Sequence, residues 1–149
     1  MIHEDYVSFE TAKLLKEKGF DEATLCDYSD KGLRWFNEVL VQHNSQGGIA
    51  CPTLQMAMKW LRDEHNILLV ADYEYECTDT SYYYKIYRLG ENGKPERCAV
   101  KGEHYDRETD KMVEHIVGYR DYERSYSDYG TYEEACDAGI KYCLENLAK

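Results

Sequence analysis

Residues 53–77 read TLQMAMKWLRDEHNILLVADYEYEC, and the apolar spacing changes in the middle of this stretch. Its first half has apolar residues at the spacing of an amphipathic helix: Leu54, Ala57, Met58 and Leu61. Thr53 is placed to cap that helix, and Asn66, which tolerates the left-handed conformation, is placed to end it. From Ile67 onward the period is two, which is typical of a strand. A helix followed at once by a strand predicts a fold with both elements.

Strand-like segments continue downstream of this stretch. They cover residues 67–77, 81–89, 97–100 and 112–123, with a hairpin turn at 91–94 and a charged loop at 101–110. Strands joined by such short turns pair antiparallel. The second half of the chain therefore predicts an antiparallel sheet.

Two more helices and a hairpin flank this sheet. Ser8 is an N-cap for a helix that ends at Gly19, and Thr131 with Glu134 forms a capping box for a helix that ends near Leu147. The segment between the first two helices predicts a hairpin followed by a polar loop. The strands of the hairpin are 25–28 and 33–41, its turn is 29–32, and the loop is 43–50.

We therefore expect a single α+β domain over residues 1–149. An antiparallel sheet of three to five strands is covered by about three helices, in the order α-ββ-α-βββ(β)-α. Trp35 and Trp60 are expected in the core or at an interface.

The composition is acidic, with 18 Lys and Arg against 29 Asp and Glu and a net charge of −11. Such a chain repels nucleic-acid phosphates, so we expect no direct nucleic-acid binding. No signal peptide or membrane-length apolar run is visible, which predicts a cytoplasmic protein without a membrane contact. The acidity favours a partner with a basic surface.

The six cysteines predict reduced side chains, because they form no C-x-x-C pair and a domain of this size does not need disulfides. Cys136 and Cys143 lie seven residues apart in the last helix, on the face of Ile140 and Leu147. We expect both to be buried as small apolar groups.

No cofactor, metal or catalytic site is predicted. Asp27 and Glu38 fall at the ends of a calcium-loop spacing, but Lys31 would place an ammonium where an oxygen ligand is needed. We interpret this segment as a hairpin turn. The five histidines are scattered, and no nucleophile elbow or glycine-rich phosphate loop occurs.

An acidic stretch carries the candidate partner-binding residues, Asp72, Glu74 and Glu76. They alternate with Tyr73 and Tyr75, and no Lys or Arg lies between Asp63 and Asp79. In a strand, the three carboxylates share one face and the two tyrosines continue the core face. One interpretation is a solvated sheet face that discourages aggregation. A second interpretation is a line of negative charge that binds a basic partner. A third, with the least support, is a catalytic carboxylate pair.

The order helix, antiparallel strands, helix over residues 53–147 resembles the double-stranded-RNA-binding domain. Residues 131–135, TYEEA, lie where that family begins its last helix and places phosphate-binding lysines. Glu133 and Glu134 stand there instead, which argues against that activity. A HicB-like antitoxin fold is similar in arrangement and is compatible with acidity. These resemblances concern topology alone.

A closer resemblance covers three segments, 8–20, 51–62 and 131–135, which read SFETAKLLKEKGF, CPTLQMAMKWLR and TYEEA. The chain resembles uncharacterised small acidic proteins encoded by bacteriophages and mobile elements of gut bacteria. This resemblance implies an accessory role and no defined activity.

The leading functional hypothesis is a non-enzymatic accessory or binding protein that acts through protein–protein contact, with Asp72, Glu74 and Glu76 as the contact. The alternative is a small hydrolase or transferase whose site is assembled from residues distant in sequence. Abundant tyrosine and unpaired strand edges also predict self-association as a homodimer.

Overall fold

The computed structural model describes residues 2–76 and 79–149, which form three helices and three small antiparallel sheets. The helices are α1 (Phe9–Glu17), α2 (Leu54–His65) and α3 (Tyr132–Asn146). The strands are β1 (Thr24–Tyr28), β2 (Arg34–Val41), β3 (Ile49–Ala50), β4 (Ile67–Glu76), β5 (Asp79–Arg88), β6 (Cys98–Asp106), β7 (Lys111–Arg120) and β8 (Glu123–Arg124). The α+β fold class is confirmed, with the strands divided among three sheets. Cys77, the last residue of the strand predicted over residues 67–77, lies outside the described residues.

The helix ends follow the predicted caps. The Ser8 hydroxyl accepts a hydrogen bond from the Thr11 N–H, and the Thr53 hydroxyl accepts one from the Met56 N–H. Asn66 ends α2 in the left-handed conformation, at φ 55°. These caps satisfy backbone groups that the helices leave unpaired, which is why local sequence determines the helix bounds.

The cap of α3 differs in one hydrogen bond from the predicted capping box. The Thr131 hydroxyl accepts from the Glu134 N–H, as expected. The Glu134 carboxylate, however, accepts from the Gly130 N–H at 3.1 Å. The carboxylate therefore holds the segment before the cap, and the helix begins at the predicted place.

The first sheet has the strand order β2-β1-β3. The predicted hairpin and its turn are present, with Gly32 at a φ of 78°. The polar segment 43–50 contains a strand that the sequence did not predict, β3. The Asn44 side chain fixes that segment by donating to the Phe20 carbonyl and accepting from the Ala50 N–H.

The second sheet has the order β4-β5-β8, and α2 and α3 pack on one of its faces. Gly139 of α3 lies so close to this sheet that a Cβ there would meet Leu69 Cδ1 at 2.7 Å and Tyr84 Cγ at 3.0 Å. Among the described residues of β4 and β5, those that belong to the core, such as Ile67 and Leu69, lie on this face, and none lies on the other. Asp72, Glu74, Tyr83 and Lys85 lie on that outer face.

The third sheet is a two-stranded ribbon of β6 and β7, here called the ribbon. The prediction of a charged loop at 101–110 is wrong, because most of this segment belongs to β6. Beyond its base, where Cys98 is buried, the ribbon is largely exposed on both faces. Neither strand shows over its whole length the alternation of apolar and polar residues that marks a half-buried strand. The turn at 91–94 does not lead β6 back onto β5, since only Leu89 and Pro95 form a bridge.

One hydrophobic core joins the helices to the first two sheets. Its largest fully buried side chains include Phe20, Leu15, Leu61, Ile86, Ile140 and Leu144. Cys136, Cys143 and Trp60 belong to this core, as predicted. The five cysteines of the described residues are free, and Cys77 lies outside them. Within residues 2–76 and 79–149, no helix is long and apolar enough to cross a membrane.

Candidate binding surfaces

Asp72 and Glu74 lie together on the outer face of the second sheet, and each pairs with a cation from another strand. Lys85 Nζ of β5 lies 2.9 Å from Asp72 Oδ2. Arg124 Nη1 of β8 lies 2.8 Å from Glu74 Oε1, and the Ser127 hydroxyl donates to the same carboxylate. The side chain of Glu76 lies outside the described residues.

These cations hold the pKa values of both carboxyl groups below their usual range. The hydrogen bond from Lys85 is the main cause for Asp72, and the hydrogen bond from Arg124 is the main cause for Glu74. Both carboxylates are therefore charged at neutral pH but largely compensated. Their binding to a basic partner stays a prediction. Less uncompensated negative charge is available for it than the sequence indicated, because both carboxylates are paired within the chain.

Tyr73 and Tyr75 do not pack into the core as the alternation predicted. Both are exposed, although Ile67 and Leu69 earlier in β4 are buried. The reason is the length of the strand, because the helices cover only the first half of β4 and leave the second half without a packing partner. The alternation of faces is present, but the core ends before the strand does.

Cations also cover the aromatic rings of the outer face. Tyr83 is 7% exposed although no helix covers it. The Arg124 guanidinium lies 3.8 Å from the centre of the Tyr83 ring, and Lys85 Nζ lies 5.2 Å from the centre of the Tyr122 ring. Such contacts attract the cation to the electron-rich ring face. The outer face is therefore closed by its own ion pairs and cation–π contacts.

Sequence reasoning missed these two cations for different reasons. Lys85 could have been found, because the register of the predicted β4–β5 hairpin places it diagonal to Asp72 on the same face. Arg124 could not, because β8 joins β5 only through a connection of more than thirty residues that includes the ribbon.

The ribbon exposes apolar side chains on both of its faces. Tyr105, Met112 and Ile116 share one face by register, and Val113 lies on the other. Met112 is 58% exposed and Ile116 is 55% exposed. On the second face, the Nδ1 atoms of His104 and His115 lie 3.0 Å apart. The ribbon makes at most marginal contact with other elements of the described chain.

A second apolar surface lies on β2. Trp35, which was expected in the core or at an interface, is 61% exposed and so is not part of the core. Phe36 is 64% exposed and contacts the Tyr6 ring edge-on at 5.5 Å between centroids. Val39 and Leu40 are also exposed. Since β2 is an edge strand, these side chains adjoin unpaired backbone groups.

A groove of about 720 Å³ lies between the start of α1 and the first half of α3. Tyr28 and Arg34 line one side, and Glu133 and Lys141 the other. The Tyr28 hydroxyl donates to the Val7 carbonyl at 2.6 Å, and burial raises its pKa. This hydroxyl therefore stays protonated and engaged with the backbone, so it does not act as a base at neutral pH.

The buried thiols are unsuited to nucleophilic chemistry. Cys26 lies in β1, and Cys51 follows the end of β3 beside it. The Cys51 N–H donates to the Cys26 carbonyl at 2.9 Å. Burial raises the pKa of Cys51 to about 12 and that of Cys143 to about 12. The thiolate is the reactive form, so these cysteines are inert at neutral pH.

The residues at the calcium-loop spacing form a hairpin, as predicted. Asp27 lies in β1 and Glu38 in β2. Across residues 2–76 and 79–149, no group of three or more His, Cys, Asp or Glu side chains is arranged to hold a metal ion.

Comparison with protein families, with curated proteins and with solved structures finds no match for this chain. The functional inference therefore depends on the surfaces of the chain itself.

Proposed function

We propose that the chain is a non-enzymatic binding or accessory protein, encoded by a phage or mobile element and acting in the cytoplasm through protein–protein contact. The ribbon is the observation that carries this proposal. It presents apolar side chains on both faces, and no other helix or strand of the described chain makes more than marginal contact with it.

An isolated two-stranded ribbon is marginally stable in water, because it has no third layer against which to bury its apolar side chains. Met112 and Ile116 are each more than half exposed. Burying one such side chain fully contributes about 1.5–3 kcal/mol relative to leaving it in water. A partner that encloses the ribbon therefore gains binding energy and orders the ribbon at the same time.

The occupant that fits is a protein with an apolar groove and a basic surface around it. The groove receives the face of Tyr105, Met112 and Ile116. The basic surface is favoured by the net charge of −11, because opposite charge accelerates the encounter of the two proteins.

The acidic outer face is the less supported contact for the same partner. A basic protein that approached Asp72 and Glu74 would have to compete with Lys85 and Arg124, which already satisfy them. Exposed ion pairs exchanged for other exposed ion pairs give little net free energy. The apolar side chains of the ribbon, in contrast, have no ion pair to give up when they are covered, provided that the Lys101–Glu114 pair on the same face stays at the rim of the contact, in water.

The test is partner capture with matched variants. A tagged chain retains its partner from lysate, and the double variant Met112→Ser with Ile116→Ser loses it. Tyr126→Ser, which also changes an exposed large side chain but lies outside the ribbon, retains it. The captured protein is then purified, and its dissociation constant is measured for all three chains. Unchanged affinity of the double variant overturns the proposal.

Loss of binding must not come from unfolding of the chain. Neither Met112 nor Ile116 belongs to the core, so the double variant should keep the thermal midpoint of the parent. A variant that unfolds at the same temperature but no longer binds supports the ribbon as the contact.

A further inference from the structure

The outer edge of β2 is open. This strand pairs with β1 on one side, and nothing in the described chain pairs with it on the other. All of its residues are exposed except the last, Val41, which is half-buried. Native proteins usually protect an edge of this kind, since unpaired N–H and C=O groups together with apolar side chains recruit another strand.

The hairpin determines which backbone groups of β2 point outward. The Ser29 N–H donates to the Leu33 carbonyl at 2.8 Å, so Leu33 is hydrogen-bonded toward β1. Hydrogen-bonded and non-hydrogen-bonded pairs alternate along an antiparallel ladder. The backbone N–H and C=O groups of Trp35 therefore also point toward β1. The backbone N–H and C=O groups of Arg34 and Phe36 point outward, away from β1.

We infer that a second copy of the chain pairs with this edge, β2 against β2, around a two-fold axis at Phe36. The two first sheets then form one six-stranded sheet in the order β3-β1-β2-β2-β1-β3. This inference is independent of the proposed function, because it concerns a different surface.

Charge complementarity selects the second copy and the register. With Phe36 opposite Phe36 of the partner copy, Arg34 lies opposite Glu38 on both sides of the axis. Shifting the axis to residue 34 or 38 would instead place like charges opposite each other. Among the described residues, Arg34 and Glu38 have no ion-pair partner within the chain. The Arg34 guanidinium lies 5.7 Å from the centre of the Tyr6 ring, a contact that leaves its charge without a carboxylate.

Apolar side chains complete the contact. In the same register Leu33 lies opposite Val39 on the face that also carries Trp35. Val39 is exposed in the single chain, as is Leu33. The register of β2 against β1 is regular from Arg34 to Phe36 and shifts before Val41, which lies opposite Thr24. Glu38 and Val39 lie in this shifted part, so the pairing requires it to run extended along the partner copy.

The first test is the oligomeric state at physiological salt. Sedimentation equilibrium should give twice the mass of the 17.5 kDa chain at micromolar concentration. Arg34→Glu alone and Glu38→Arg alone should each weaken the dimer by about tenfold or more, because each places two pairs of like charges across the axis. The exchange variant with both substitutions should recover most of the affinity, and Arg62→Glu on α2 serves as the charge-matched control.

Three results would overturn the inference. They are a 17.5 kDa species at every concentration, a dimer that neither single reversal weakens, and an exchange variant that does not recover. Because the ribbon is not involved, Met112→Ser with Ile116→Ser should leave the mass unchanged. Failure here therefore says nothing against partner binding by the ribbon.

The second test is cross-linking on the axis. Hydrogen-bonded antiparallel pairs have Cα atoms about 5.5 Å apart, which lies within the range of a disulfide. Phe36→Cys should form a covalent dimer under mild oxidation, whereas Leu40→Cys, whose counterpart is distant in this register, should not. Equal cross-linking of both variants contradicts the register.

Discussion

The ion pair of Glu74 and Arg124 connects two residues that are fifty positions apart in the chain, and Arg124 also rests on the Tyr83 ring. On the sequence alone, Glu74→Lys would be a harmless change at a solvated face. With Arg124 at 2.8 Å, it places two cations together and frees Arg124 from its position over the ring. We therefore expect a lower urea midpoint for Glu74→Lys.

The matched control for this change is Glu91→Lys. Glu91 is exposed in the turn at 91–94 and has no ion pair within the described chain. Its substitution should shift the free energy of unfolding by no more than about 0.5 kcal/mol. Equal midpoints for the two variants would show that the Arg124 contact does not stabilise the fold.

The lowered pKa of Asp72 gives a prediction about pH. The hydrogen bond from Lys85 makes the folded-state pKa lower than the unfolded one, which is about 3.9 for Asp. The contribution to stability is therefore present above the unfolded pKa and is lost as pH falls through the folded one. Asp72→Asn should unfold at lower urea than the parent at pH 7, and this difference should shrink as the pH falls below about 4 and disappear below the folded-state pKa. A difference that persists there would assign the effect to packing.

At the scale of elements, the close approach of α3 to the second sheet depends on Gly139. A Cβ at this position would meet Leu69 Cδ1 at 2.7 Å, closer than real Cβ contacts, and Tyr84 Cγ at 3.0 Å, tighter than most. Overpacking of this kind costs about 1–3 kcal/mol, whereas helix propensity alone would make Gly139→Ala stabilising by up to about 1 kcal/mol. We expect net destabilisation by thermal melting. Gly118→Ala in β7, where a Cβ meets no atom within 4 Å, should leave the midpoint nearly unchanged.

The elements that the sequence predicted are those determined by neighbouring residues. The caps at Ser8, Thr53 and Thr131 and the turn at Gly32 depend on contacts within a few positions, so their bounds could be derived. The division into three sheets depends on which strands meet across long connections. Strand β8 is an example. It has only two residues, Glu123 and Arg124, and no local sequence pattern indicates that they pair with β5.

The candidate surfaces were predictable to a smaller extent. The face shared by Asp72 and Glu74 followed from the period of the strand, but their compensation did not. The exposed apolar residues of β2 and of the ribbon could not be predicted, because a strand pattern does not show which faces the helices leave uncovered. Exposure depends on where the helices end, and this is a property of the packed molecule.

At the scale of the whole molecule, stability is expected to be unequal between the core and the ribbon. The α3 helix packs on β4 and β5, whereas the ribbon is held mainly by its own ladder. Segments with few buried apolar contacts open locally at low free-energy cost. Amide hydrogens of β6 and β7 should therefore exchange much faster than those of β4 and β5, as hydrogen-exchange mass spectrometry can measure. Equal protection in the isolated chain would mean that another surface covers the ribbon.

The ribbon also begins and ends at one place, since Cys98 lies directly opposite Arg120. A two-residue turn can join two such positions without moving either strand. The geometry therefore lets the intervening stretch change in length and sequence without a change in the rest of the chain. If the ribbon is the contact, as proposed, exchanging this one segment would change what the protein binds, and a foreign peptide could be grafted at the same point.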